Sequence, residues 1–331
     1  MKVRRLWAIG VLFIAVLIVA CGGGDDEEGG QAGTATGTAT AGASAFAAFD
    51  CDREYPGTAP DASGFPLEVT DDNGETLTLE APPAAIVSLS AAHVEVLYAI
   101  GAGDQLVAGD KFSDCPKAAS ELEHLDSFQP SVEAIAALNP DLVLLAFPDP
   151  DLQEALDGVA VPSMLLGIPD SVDGVIDQIE LLGGAVGHAD EAATLGGAME
   201  QRIEEIVQSL PEVEAPPKVF HEVDNTLFTV GPGSFVGDLY DILKVENIAE
   251  ATGEAFPQMA QEAIIEAAPD VIILADEVAG ESAETVKARP GWDSIPAVQN
   301  DRIYAVDPDI VSRPGPRVVE ALETLAGLLY E

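Results

Sequence analysis

The sequence predicts an α/β protein of two lobes, each built on a central, mostly parallel sheet, with a single long α-helix bridging them. Three observations carry that reading. Apolar runs such as Leu142-Val143-Leu144-Leu145-Ala146-Phe147 and Val271-Ile272-Ile273-Leu274 are continuous rather than alternating, as burial on both faces of a parallel sheet requires. These runs alternate with helix-patterned segments, the signature of repeated strand–helix–strand units. Residues 131–146, SVEAIAALNPDLVLLA, are nearly repeated at 260–275, AQEAIIEAAPDVIILA, with identities at Glu133/Glu262, Ala134/Ala263, Ile135/Ile264, Pro140/Pro269, Asp141/Asp270, Leu145/Leu274 and Ala146/Ala275. The chain therefore writes one structural unit twice.

The elements follow in order. Lys2, Arg4 and Arg5 precede an apolar run of fifteen residues, Leu6 to Ala20, that stops at Cys21. That run is short for a bilayer span of about 20 residues and suits the core of a secretory leader, so residues 1–20 are read as a signal peptide. Residues 21–64 open on a Gly/Ala/Thr tract without an apolar face and are read as a flexible tether, with a reach on the order of 35 Å for about 40 residues.

Residues 65–187 form the first lobe. It begins with alternating strands about Asn73-Gly74, a hairpin signal. A strand at Ala85–Leu89, a helix over AAHVEVLYAIGAG, a strand at QLVAGD, the SVEAIAAL helix, the DLVLLAF strand, a helix from Asp151 and a strand at VPSMLLGI follow. Residues 188–211 carry helical spacing without strand signals and close at Pro211; they are the bridging helix. Residues 212–331 restart the program with strands at VFHEV and LFTV, a GPGS turn, a helix through DLYDIL and the second copy of the repeat.

Composition narrows the function. With 58 acidic residues against 14 Lys and Arg, the net charge is −44, and loss of the leader removes three more positive charges. Such a surface repels nucleic acid and anionic headgroups, so no nucleic-acid partner is expected. Beside Cys21 the chain has only Cys51 and Cys115, an even pair that can form a disulfide in an oxidising compartment. No CxxC or zinc-type Cys/His spacing occurs, and GxSxG, P-loop, HExxH and GxGxxG are all absent, so the chain is not expected to be an enzyme.

In two-lobed α/β proteins ligands sit at the carboxyl ends of the strands. The first strand-to-helix loops there are Ser90-Ala91-Ala92-His93 and Gly231-Pro232-Gly233-Ser234. Small residues at a helix start can present backbone N–H groups to a ligand, and they also make ordinary turns.

Read in order, IVSLSAAHVEVLYAIGAGDQLVAGD, FSDCPKAA, PSVEAIAALNPDLVLL, TVGPGSFVGDLYDILKVENIA and RPGWDSIPAVQNDRIYAVDPDIVSRPGPR resemble the ABC-transporter substrate-binding proteins for cobalamin, ferric siderophores and haem. The resemblance covers nearly all of residues 65–331, and Ile18-Val19-Ala20-Cys21 resembles the bacterial lipoprotein box. It implies two Rossmann-like lobes that hinge little, and a lipid on Cys21 holding the body outside the cytoplasmic membrane. It also implies monomeric delivery of a large metal chelate to an ABC permease dimer and its ATPase. No resident cofactor is implied, because cobalt or iron would arrive inside the ligand.

The family's motif places permease-docking glutamates at Glu133 and Glu262, positions that also complement a helix dipole. Phe112, Phe128, Phe147 and Phe256 fall at or within one residue of aromatic cleft positions of cobalamin-binding members, and Asp309 and Arg313 at polar contact positions. Ser90, Ala92, His93 and Ser234 complete the expected ligand-binding set. A free zinc or manganese binder is the nearest alternative, drawing on His93, His124 and His221, with His188 set apart at the start of the bridging helix. A lipoprotein that senses the ligand without transporting it is the other.

Overall fold

The computed structural model describes residues 48–276 and 280–330. The expected leader, Cys21 and the tether up to residue 47 lie outside them. A hairpin of β1 (Leu67–Thr70) and β2 (Thr76–Leu79) leads into the first lobe, its turn tied by the Asp71 carboxylate, which accepts from the N–H groups of Asn73 and Glu75. The first sheet is wholly parallel. It holds β3 (Ile86–Ser88), β4 (Leu106–Asp110), β5 (Glu123–Leu125), β6 (Leu142–Leu145) and β7 (Ser163–Leu165), in the order β5-β4-β3-β6-β7. Every residue of β3 and β6 is buried, as the unbroken apolar run of β6 demands, and in β3 the buried Ser88 hydroxyl donates to the Ser90 carbonyl. Between the strands run α1 (Ala91–Ala99), α2 (Val132–Ala137) and α3 (Pro150–Gly158), and α4 (Val172–Val186) follows β7. Each starts on a side-chain cap, from Ser90, Ser131, Asp149 and Ser171 respectively, satisfying N–H groups the helix itself leaves open.

The bridging segment is α5 (Ala189–Ser209), the longest described helix. It buries Ala192, Gly196, Met199 and Ile206, a single stripe at helical spacing, and its opposite face is acidic and exposed. It doubles back along α4 through Gly187, whose φ of 84° a residue with a Cβ would resist. At Gly183 the two helices come so close that an added Cβ would meet that of Ala192.

The second sheet, also parallel, holds β8 (Lys218–Glu222), β9 (Glu246–Asn247), β10 (Val271–Leu274) and β11 (Ile303–Ala305) in the order β11-β10-β8-β9. Its helices are α6 (Phe235–Ile242), α7 (Gln261–Ala267), α8 (Ala283–Lys287), α9 (Pro296–Gln299), α10 (Pro308–Val311) and α11 (Val318–Tyr330). The segment LFTV, expected as a strand, makes only one isolated bridge, from Phe228 to Gln258.

The repeat becomes two equivalent corners, α2–β6 and α7–β10. Asn139 and Ala268 end their helices at φ 49° and 51°, and Pro140 and Pro269 are buried behind them. The Asp141 carboxylate accepts from the N–H groups of Ala84 and Ala85, and that of Asp270 accepts from Lys218. The shared Pro-Asp thus pins the entry of each central strand to that of its neighbour.

One apolar core runs through both lobes. It joins Ile86, Leu142 and Met164 of the first sheet to Val219 and Ile273 of the second through α4, α5, α6 and α11, while each sheet keeps a smaller cluster on its other face. Residues 48–64, expected as the end of a flexible tether, instead pack on the first lobe. Phe49 is buried and stacks on Tyr55, the Asp61 N–H donates to Gly187, and Cys51 is bonded to Cys115.

Candidate functional site

In the first sheet the strand order reverses between β3 and β6, so the loops that leave these strands diverge and open a crevice. A cavity of about 400 Å³ lies there, walled on one side by the carboxyl ends of the first lobe's strands and on the other by α10 and the residues after it. Ser90 after β3 and Ala92 and His93 in the first turn of α1 line it, as do Asp110 at the end of β4 and Phe112 in the loop that follows. Phe128 follows β5, Phe147 follows β6, and Gly167, Ile168 and Pro169 follow β7. The second lobe supplies Asp309, Ser312 and Arg313.

Three phenylalanines dominate the wall. Phe112, Phe128 and Phe147 are 51 %, 66 % and 50 % exposed and form a chain of ring contacts with centroids 6.2 and 6.4 Å apart. Side chains of that size normally hide; clustered and half-exposed, they mark a surface kept for a partner. Covering the open half of one such ring is worth about 2 kcal/mol. Lys111 stands 5.1 and 5.2 Å from the Phe112 and Phe128 rings while pairing with Asp126 at 2.9 Å.

Arg313 does not wait for a ligand. Its guanidinium lies 2.6 Å from Glu95 of α1 and 2.8 Å from Asp309, with Asp114 at 3.7 Å. Glu95, fully buried, also accepts from Arg317 at 2.7 and 3.1 Å. The expected polar contact is therefore one arm of an ion network across the two lobes. His93 is 2 % exposed, and burial pushes its pKa down to about 4, against the pull of Gln178 and the Leu166 carbonyl, so the imidazole is neutral.

The structure brings eight of the ten expected ligand residues to the cavity wall and leaves two out. Ser234 is buried, its hydroxyl donating to the Gly231 carbonyl and accepting from the Gly237 N–H, so it serves the start of α6 instead. Phe256 is 60 % exposed but lies outside the cavity lining. Glu133 and Glu262 are exposed in the first turns of α2 and α7, away from the cavity. The histidines do not converge. His221 is buried against the Tyr240 hydroxyl at 2.7 Å, His124 meets the Ala119 carbonyl and His188 meets Thr58, and no cluster of three or more metal-ligating side chains occurs among the described residues.

Asp110, Ile168, Gln178, Glu95 and Arg317 escaped the sequence reading. For Glu95 a signal existed: it is the one carboxylate within the apolar AAHVEVLYAIG, and a lone charge on a buried helix asks for a buried partner.

Comparison with known proteins agrees with this geometry. The family described as "Periplasmic binding protein" matches residues 86–310. An ABC transporter substrate-binding lipoprotein of Bacillus subtilis is 31% identical over 274 residues, covering 80% of this chain and 86% of that protein. A cobalamin-binding protein of Halobacterium salinarum is 26% identical over 279 residues, covering 81% of this chain and 75% of its own. A crystal structure described as a possible iron-binding, periplasmic solute-binding protein of Staphylococcus epidermidis superposes with a TM-score of 0.68 at 27% identity, over 76% of this chain and 100% of that one.

Proposed function

The chain belongs to the periplasmic binding protein family, and on that premise we propose that it captures a large metal chelate of the cobalamin, ferric siderophore or haem type outside the cytoplasmic membrane and delivers it to an ABC importer. The observation that carries this reading is the cavity at the first lobe's switch point, where Phe112, Phe128 and Phe147 stand half-exposed opposite the Arg313 segment. A flat, rigid chelate offers those rings a broad apolar face at little cost in conformational entropy.

The remaining parts of the reading follow from the sequence and the family. The protein acts as a monomer that binds without turnover. It is tethered through a lipid on Cys21, and Glu133 and Glu262 are its contacts with the permease pair. The described residues include no helix long and apolar enough to cross a membrane.

Titration of the protein with a cobalamin, a ferric siderophore, haem and zinc, followed by visible absorbance and native mass spectrometry, tests the ligand class. One chelate is expected to bind in a one-to-one complex, and Phe128→Ala to weaken that binding about ten-fold, the equivalent of losing part of one ring's burial. Tight binding of zinc with no chelate bound would overturn the proposal.

A further inference from the structure

The cavity's charges have an order that its apolar wall conceals. Asp110 is 3 % exposed at the end of β4, one carboxylate oxygen accepting from the Phe112 N–H at 2.8 Å and the other meeting no donor. No cation pairs with Asp110 among the described residues. Arg313, the only cation lining the cavity among those residues, is held by Glu95, Asp309 and Asp114. Arg317 behind it is held by Glu95, and Lys111 at the rim by Asp126. Five carboxylates thus face three cations, and each cation already has a partner within 3 Å. The His93 imidazole adds no positive charge.

We propose that Asp110, together with the Glu95 and Asp309 carboxylates that occupy Arg313, makes the cavity select a metal macrocycle whose periphery is amidated or otherwise uncharged, and reject one that presents free carboxylates. The inference rests on the chelate-binding reading and narrows it. A ligand carboxylate entering the cavity finds no free guanidinium or ammonium to form a charge-assisted pair with, because claiming Arg313 would strip a buried partner from Glu95. It also meets the field of Asp110. At an effective dielectric constant of about 20, two carboxylates about 8 Å apart disfavour binding roughly thirty-fold before screening. A carboxamide in the same place carries no net charge and escapes that repulsion. Asp110 and Asp309 are specificity-determining residues in this account, and Glu95 acts through Arg313 as a positioning residue.

The experiment compares cyanocobalamin, its monocarboxylic acids from mild hydrolysis of single side-chain amides, and haemin, which carries two propionates. Dissociation constants are measured at low salt for the protein and for Asp110→Asn and Asp309→Asn. Asparagine at 110 keeps the acceptor for the Phe112 N–H, and Asp309 is half-exposed, so the two variants perturb the fold by different routes. The protein is expected to bind cyanocobalamin at least ten-fold tighter than the monocarboxylic acids and tighter still than haemin. At least one variant is expected to shrink the acid penalty by a factor of three or more. Equal or tighter binding of the acids or of haemin overturns the charge selection while leaving chelate binding intact. An undiminished penalty in both variants overturns the assignment to these residues. Binding of none of the three overturns this inference, and the chelate reading then stands or falls on the ferric siderophore and zinc titrations described above.

Discussion

Glu95 shows what a single side chain does here. It is fully buried on α1, yet its two oxygens receive both Arg313 and Arg317 from the second lobe. Taking such charges out of water costs several kcal/mol each, and only the complete set offsets that cost. Glu95→Ala leaves two buried guanidinium groups short of a partner and is expected to lower the unfolding free energy by about 3–5 kcal/mol in chemical denaturation. Glu95→Gln, which keeps the shape and one acceptor, should recover part of the loss. The buried histidines act through pH. Burial holds His93 and His221 neutral, each pushed down to about 4. The unfolded chain binds their protons near pH 6.5 and the folded chain does not, so their contribution to stability is intact above about pH 6.5 and is lost as pH falls toward about 4. Asp276, pushed up to about 6 by burial and then by Glu222 and Glu281, works in the opposite direction and offsets part of the loss. His221→Asn should therefore narrow the stability difference between pH 7 and pH 4.5 by about 2 kcal/mol. An unchanged difference would show that His221 takes up its proton without unfolding.

At the scale of elements, what the sequence made legible tracks how much apolar pattern each element carries. β3, β6 and β10 are continuous buried runs, β8 is buried from Val219 to Glu222, and α5 is a long stripe closed by Pro211, so all were readable. β5, Glu-His-Leu at a sheet edge, has no apolar run to betray it, and α4 is diluted by Gly174, Gly183 and Gly184, of which Gly183 serves the close approach to α5 rather than helicity. The LFTV misreading has the same root, since an apolar run of strand length can equally line a loop. In the site, the three phenylalanines were legible as residue types at spaced positions. The pairing of Arg313 with Glu95, 218 residues apart, lies in the packing of lobes and in no local pattern. The segment before the first lobe has a testable weight of its own. Cys51 and Cys115 close a loop with a sequence separation of 64, and Cys115 lies three residues beyond the cavity's Phe112. Chain entropy alone assigns such a crosslink about 4 kcal/mol. The double variant Cys51→Ser, Cys115→Ser is expected to lose about 2–4 kcal/mol in urea titration, with a greater fractional loss of affinity than any change at the second lobe's exposed Phe256. Loss of stability without loss of affinity would mean the segment braces the lobe but not the Phe112 loop.

At the scale of the whole molecule the core matters most. Because one apolar cluster passes through α4, α5, α6 and α11 into both sheets, and the Glu95 network crosses the same boundary, the lobes are joined by far more than one helix. Their outer corners are consequently held at a fixed spacing. Those corners are the two copies of the repeat, each pinned by a buried proline and the hydrogen-bonded aspartate after it, and each carrying one exposed glutamate in its first turn, Glu133 and Glu262. A rigid pair of contacts gains from effective concentration, since engagement of one corner presents the other to its site without a further search. Removing one glutamate should then weaken docking strongly but not abolish it, and removing both should abolish it. Because neither residue lines the cavity, ligand affinity should stay within about two-fold of the parent protein in Glu133→Ala, in Glu262→Ala and in the double variant. Transport into vesicles carrying the cognate permease and ATPase, measured beside ligand titration on the same preparations, separates the two effects. A collapse of ligand affinity, or uptake undiminished in the double variant, would leave these carboxylates as helix-dipole partners worth about 0.3–1 kcal/mol each and nothing more.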